Sequence, residues 1–172
     1  MAKGKTVYAS SLVNIKSGTI QQPLYIVDKY PVYQIDYTAA STGKQIASSK
    51  RRIRFRFGFT NPKAIDSGLT GVECRGEEHE IVFVWSINSG KKLLMCDGQE
   101  VHYSYNKESK FEFVWTIRGN HTAKIMGFSS GNVFGSKKDW HQFDFLLDGC
   151  SFFNFCKIHE LGKFSYFIGC DM

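Results

Sequence analysis

Proline is scarce, at three residues in 172, and no acidic, glutamine-rich or proline-rich tract interrupts the chain. Such a composition argues against a largely disordered protein. No apolar run approaches the roughly 20 residues that a membrane-spanning helix needs. The basic start, Met1-Ala2-Lys3-Gly4-Lys5, leads into interrupted polar sequence in place of the apolar stretch of a secretory leader. Ala2, where glycine would be needed, removes N-myristoylation, and Cys170 stands one position too late for prenylation. The expected location is the cytoplasm or the nucleus, with no transmembrane segment.

Catalytic signatures are missing as well. The five cysteines (Cys74, Cys96, Cys150, Cys156, Cys170) are irregularly spaced, include no C-x-x-C pair, and read as reduced, mostly structural thiols. The histidines (His79, His102, His121, His141, His159) are dispersed and form no metal-ligand motif. No phosphate-cradling loop, nucleophile elbow or nucleotide fingerprint is present. Two weaker constellations remain. His79 and Glu80 abut Glu77 and Glu78, which admits a metal or acid/base reading; the plainer one is a solvated strand entry whose glutamates balance nearby arginines. Cys96 and His102 could face each other across an Asp97-Gly98 hairpin as a thiol–imidazole pair, although any hairpin sets some residues opposite one another. The chain is therefore expected to be non-enzymatic, with no metal and no cofactor.

Aromatic residues, by contrast, are plentiful: 15 Phe, 8 Tyr and 3 Trp, or 15% of the chain. They favour pleated, half-buried surfaces, and the hydrophobic pattern agrees. Short strands are expected at Leu24–Val27, Val32–Tyr37, Arg51–Phe59, His79–Ile87, Lys92–Cys96, Glu100–Tyr105, Lys110–Arg118, His121–Phe128, Trp140–Leu147, Cys150–Phe155 and Phe164–Ile168. Asp97-Gly98 and Asp148-Gly149 are hairpin signals. Thr38–Ser49 and Ser129–Lys138 read as loops, and Thr70–Glu78 as a polar connection. One short helix is expected at 61–68, with Asn61 as N-cap, Pro62 at the first position and Gly68 as the stop. The fold class is all-β, an antiparallel β-sandwich of about ten strands. Residues 1–23 form an arm or edge segment, and 24–172 a single domain.

The run His79–Glu100, H-E-I-V-F-V-W-S-I-N-S-G-K-K-L-L-M-C-D-G-Q-E, resembles the opening hairpin of the Fas apoptotic inhibitory molecule family. There, too, a strand, a Ser-Gly-Lys turn and an Asp-Gly turn follow in order. Phe111–Ile125 is similar to that family's next strand pair, and Phe143–Gly149 to its later strand and Asn/Asp-Gly turn. The resemblance covers roughly residues 77–160 and is carried mainly by the turns. It implies a compact antiparallel sandwich used for binding, without a catalytic site, in proteins associated with cell-death signalling and protection against aggregation. The basic N-terminal half departs from that pattern.

Charge is lopsided. Residues 1–76 hold 12 Lys/Arg against 4 Asp/Glu, a net of +8, and residues 77–172 hold 10 against 12, a net of −2. The concentration lies in Lys50-Arg51-Arg52-Ile53-Arg54-Phe55-Arg56. Period-two alternation sends Ile53, Phe55, Phe57 and Phe59 to one face and Arg52, Arg54 and Arg56 to the other. Lys50, Arg51, Arg52, Arg54, Arg56 and Lys63, with Lys44 nearby, are the candidate binding residues. The leading expectation is a protein partner; nucleic acid or an anionic membrane surface is the alternative for the same patch. Charged strands also serve simply to block edge-to-edge aggregation. Phe152, Phe153 and Phe155 are denser than one face requires, so an exposed Phe there would mark a partner or self-association surface.

Overall fold

The computed structural model describes residues 26–27, 30–130 and 141–163. The expected arm (1–23), the closing strand (164–168), Trp140, Cys170 and most of the Gly/Ser loop lie outside the described residues. The protein is all-β. Among the described residues eleven strands run β1 (Ile26–Val27), β2 (Tyr30–Ser41), β3 (Lys50–Thr60), β4 (Arg75–Ser86), β5 (Lys91–Cys96), β6 (Gln99–Tyr105), β7 (Lys110–Ile117), β8 (His121–Phe128), β9 (Phe143–Leu147), β10 (Cys150–Ser151) and β11 (Cys156–Lys157). One sheet has the order β1-β2-β3-β4-β5-β6, with β11 joining β2; the other has the order β10-β9-β8-β7. Every pairing is antiparallel except β11 with β2.

The sheets pack because alternation gives each an apolar inner face. Ile53, Phe55 and Phe57 are wholly buried, as are Ile81, Phe83, Ile125 and Phe145. Phe83 stacks on Phe111 at 4.7 Å between ring centroids, and Phe57 meets Phe145 at 5.0 Å. Both Asp-Gly turns form as expected. Asp97 and Gly98 adopt φ of 51° and 79°, Asp148 and Gly149 adopt 48° and 86°, the pair of positive angles that a two-residue hairpin matched to strand twist demands.

The helix α1 (Pro62–Asp66) is shorter than 61–68, but its start is as read: the Asn61 side chain accepts from Lys63 N, and Pro62 occupies the first turn. With the 3-10 turns at Gly71–Cys74 and Ile158–Glu160 it accompanies a small second core of Tyr33, Ala64, Cys74, Cys156 and Leu161. Tyr33 reaches this region by crossing Gly58, where a Cβ would lie 2.4 Å from the tyrosine ring. Its hydroxyl donates to Glu78 Oε1 at 3.0 Å and accepts from Gly76 N at 3.3 Å.

Several boundaries differ from the sequence reading; β9, for one, starts at Phe143 and leaves His141 and Gln142 outside it. The Thr38–Ser49 loop is strand as far as Ser41, because Thr38, Ala39 and Ala40 pair with Arg54, Ile53 and Arg52, long neighbours that supply the side-chain cover the small residues lack. The polar connection ends earlier, with β4 already formed at Arg75. Cys150–Phe155 is not a full strand. Ser151 Oγ accepts from Phe153 N and starts a 3-10 turn at Phe152–Asn154. That turn sends Phe152 and Phe155 into the core, at 1% and 3% exposure, while Phe153 is half-buried against His141. The phenylalanine run therefore presents no exposed ring.

Candidate functional site

The arginine strand is built as its alternation requires, yet its cations do not form one patch. Arg54 and Arg56 lie on the outer face and are engaged across the strands. Arg54 Nη2 is 3.3 Å from Asp36 Oδ1 and Nη1 is 3.9 Å from Glu80 Oε2; Arg56 Nη1 is 3.1 Å from Asp36 Oδ2. Arg51 has the opposite parity. It pairs with Trp85, and its Nη1 donates to Gln142 Oε1 at 3.0 Å, at the opening of the second sheet. Lys63 sits in α1, beyond the opposite end of β3 from Lys50. Eleven strand residues at roughly 3.3 Å each separate those two ends by about 33 Å, so Lys63 is not part of the same surface. Lys44 lies in the β2–β3 loop, whose base is closed by Thr42 N donating to Lys50 O.

Lys50 and Arg52 are left, both exposed. Among the described residues no carboxylate lies within ion-pair distance of either. The strand registers set Arg52 in a row across five strands of the outer face: Ala40, Arg52, Val84, Leu93, Tyr103. Tyr103 and Tyr105 are 49% and 67% exposed. Lys91 pairs with Tyr105, and its Nζ lies 5.3 Å from the Tyr103 ring centroid, a cation–π distance. The result is an apolar and aromatic band edged by three cations, Lys50, Arg52 and Lys91. Only the tip of the basic strand contributes; the rest comes from β4, β5 and β6.

The thiol and imidazole constellations resolve differently. His102 pairs with Leu94, not Cys96, and its ring packs on Phe113 at 4.3 Å. Burial and the adjacent Asp97 push the Cys96 thiol up to about 11, and burial likewise pushes Cys150 to about 11 and Cys156 to about 12. These sulfurs are protonated near neutral pH and are not activated nucleophiles. The glutamates beside His79 do meet arginines: Glu78 with Arg75 at 2.6 Å, Glu77 with Arg118 at 3.0 Å. His79 itself is 8% exposed, which corrects the expectation of a solvated entry.

What holds His79 is a bond absent from the sequence reading. His79 Nδ1 lies 2.8 Å from Asp97 Oδ2, while Asp97 Oδ1 accepts from Glu80 N at 2.8 Å and Asp97 N donates to Glu80 O at 2.9 Å. The second sheet repeats the arrangement. His121 Nδ1 lies 2.8 Å from Asp148 Oδ2, Asp148 Oδ1 accepts from Thr122 N at 2.7 Å, and Asp148 N donates to Thr122 O at 2.7 Å. Both imidazoles pack on Phe59, at 5.6 and 5.1 Å, with the Arg118 guanidinium 4.4 Å from the same ring. Each Asp-Gly turn is thereby clasped to the strand before the one it follows. Both partners are consumed in holding hairpins, which makes this end of the sandwich a structural anchor.

Comparison with family models, curated proteins and solved structures finds no match to this chain. The likeness to the Fas apoptotic inhibitory molecule family therefore rests on the turns and strands quoted above.

Proposed function

We propose that the chain is a non-enzymatic interaction module that recognises a protein partner through the outer face of its larger sheet. The row Arg52-Val84-Leu93-Tyr103 carries this reading. It combines a cation that has no ion-pair partner among the described residues with apolar and aromatic surface, the mixture that protein interfaces favour. The set of binding residues expected from the sequence narrows accordingly. Lys50 and Arg52 contact the partner, joined by Lys91, Leu93 and Tyr103, whereas Arg54 and Arg56 are occupied by Asp36 and Glu80. The partner surface carries carboxylates to meet the cations and aliphatic or aromatic groups to cover the band.

A second reading takes support from the exposed Tyr103 and Tyr105 beside Lys91, because aromatic rings flanked by cations also stack single-stranded bases. Salt and nuclease separate the two. Phosphate contacts release counterions and weaken steeply as salt rises, whereas an interface with an apolar centre loses less. Partner capture with wild type and with Lys50→Glu/Arg52→Glu, at low and high salt and with nuclease, tests the proposal. A specific protein retained through both treatments and lost with the variant supports it. Retention that nuclease abolishes transfers the surface to nucleic acid.

A further inference from the structure

β6 ends the larger sheet: it pairs with β5 on one side and, among the described residues, with no strand on the other. An edge strand offers a row of backbone donors and acceptors to any chain able to pair with it. Gln99-Glu100-Val101-His102-Tyr103-Ser104-Tyr105 has neither proline nor lysine to guard it; its register with β5 shifts once, leaving Val101 as a bulge between Glu100 and His102. Tyr103 and Tyr105 stand out from its outer face, at 49% and 67% exposure.

The charges beside this edge are polar along its length. At the Tyr105 end lies Lys91, which pairs with Tyr105; at the Gln99 end lie Glu100 and the Asp97 turn. Lys91 and Glu100 are both exposed, and neither has an ion-pair partner among the described residues. Antiparallel pairing of such an edge with itself sets the cationic end of one copy against the anionic end of the other, twice by symmetry. The free edge of the smaller sheet among the described residues, β7, lacks this property. Its flanking cations are already taken, Lys110 by Glu112 at 3.0 Å and Arg118 by Glu77 at 3.0 Å, so self-pairing there brings no unpaired opposite charges together.

We propose that two copies of this chain associate through their β6 edges, antiparallel, joining the two larger sheets into one continuous sheet and setting the exposed tyrosines of both copies side by side on its outer face. The occupant of this edge is a second copy because the edge is complementary to itself in charge.

Sedimentation velocity over a concentration series, on wild type, Lys91→Glu, Glu100→Lys and an equimolar mixture of the two variants, tests the proposal. Wild type is expected to form a dimer as concentration rises. Each variant alone should dimerise about tenfold more weakly or worse, since like charges then meet at both ends of the pairing. The mixture should recover the dimer. One variant then carries carboxylates at both ends of the edge and the other carries ammonium groups at both ends, so every cross-pair is attractive. A wild type that stays monomeric throughout the series overturns the proposal. So does a dimer that both variants retain unchanged, or a mixture no more associated than its parts. Matching thermal transitions for all four samples establish that the fold is common to them.

Discussion

Arg54 Nη2 and Asp36 Oδ1 lie 3.3 Å apart across β3 and β2, and the contact divides the basic strand into an occupied half and an available half. Asp36 also takes Arg56 at 3.1 Å. All three side chains are about one-third exposed, so these pairs are worth only about 0.2–1 kcal/mol each. Asp36→Asn should therefore lower stability by about 1 kcal/mol or less, read as a small shift in the urea midpoint. The same variant should raise retention on an anionic column, because one carboxylate is lost, Arg56 is released and Arg54 keeps only its longer contact with Glu80. A larger stability loss would mean that Asp36 is integral to the fold.

The His–Asp clasps should matter more. Asp97→Ala or Asp148→Ala removes a carboxylate that accepts a backbone N–H and meets a buried imidazole. It also places alanine at a φ near +50°. Lost charged hydrogen bonds and left-handed backbone together cost about 2–4 kcal/mol. Asn at either position keeps an oxygen for the N–H and tolerates the turn, so it should recover a substantial part. Urea denaturation of the four variants checks the order. Equal losses for Ala and Asn would place the whole effect in the His bond.

Thiol chemistry supplies a prediction in pH. Burial raises Cys96 and Cys150 to about 11 and Cys156 to about 12, from an ordinary 9.0. A group whose folded value is raised contributes stability that is fully present below its unfolded value and is lost as pH rises through the folded one. The urea midpoint should thus decline from about pH 9 upward. Tyr33, raised to about 12 by burial and Glu78, adds to the decline. Lys92 acts in the opposite sense, since burial lowers its value from 10.5, but it is one group against several, as burial also raises Tyr37 and Cys74. At pH 8 these thiols should react with a disulfide reagent far more slowly in the native protein than in urea. Rapid native labelling would contradict the burial argument.

Much of the fold was legible because hydrophobic alternation and turn chemistry are local. Ile53, Phe55, Phe57 and Phe59 announce which face of β3 is buried, and both Asp-Gly pairs announce their hairpins. The candidate surface was only partly legible. That Arg54 and Arg56 are occupied depends on Asp36, whose position opposite Arg56 follows a bulge between Gln34 and Asp36. The band at Arg52 depends on successive registers through Val84, Leu93 and Tyr103, and register is a property of paired strands rather than of any one of them. The twin clasps did leave a trace, a histidine at the head of an expected strand and an Asp-Gly turn downstream. The separations are 18 residues in one case and 27 in the other. The longer β8–β9 connection hides the repeat.

The most direct test compares the proteins retained by wild type with those retained by Lys50→Glu/Arg52→Glu, by quantitative mass spectrometry in the presence of nuclease. A specific protein should be held by wild type at low and high salt and lost with the variant, while Arg56→Gln, which removes a cation already taken by Asp36, should retain it. Identical capture by wild type and the double variant would contradict the assignment of this face as the recognition surface.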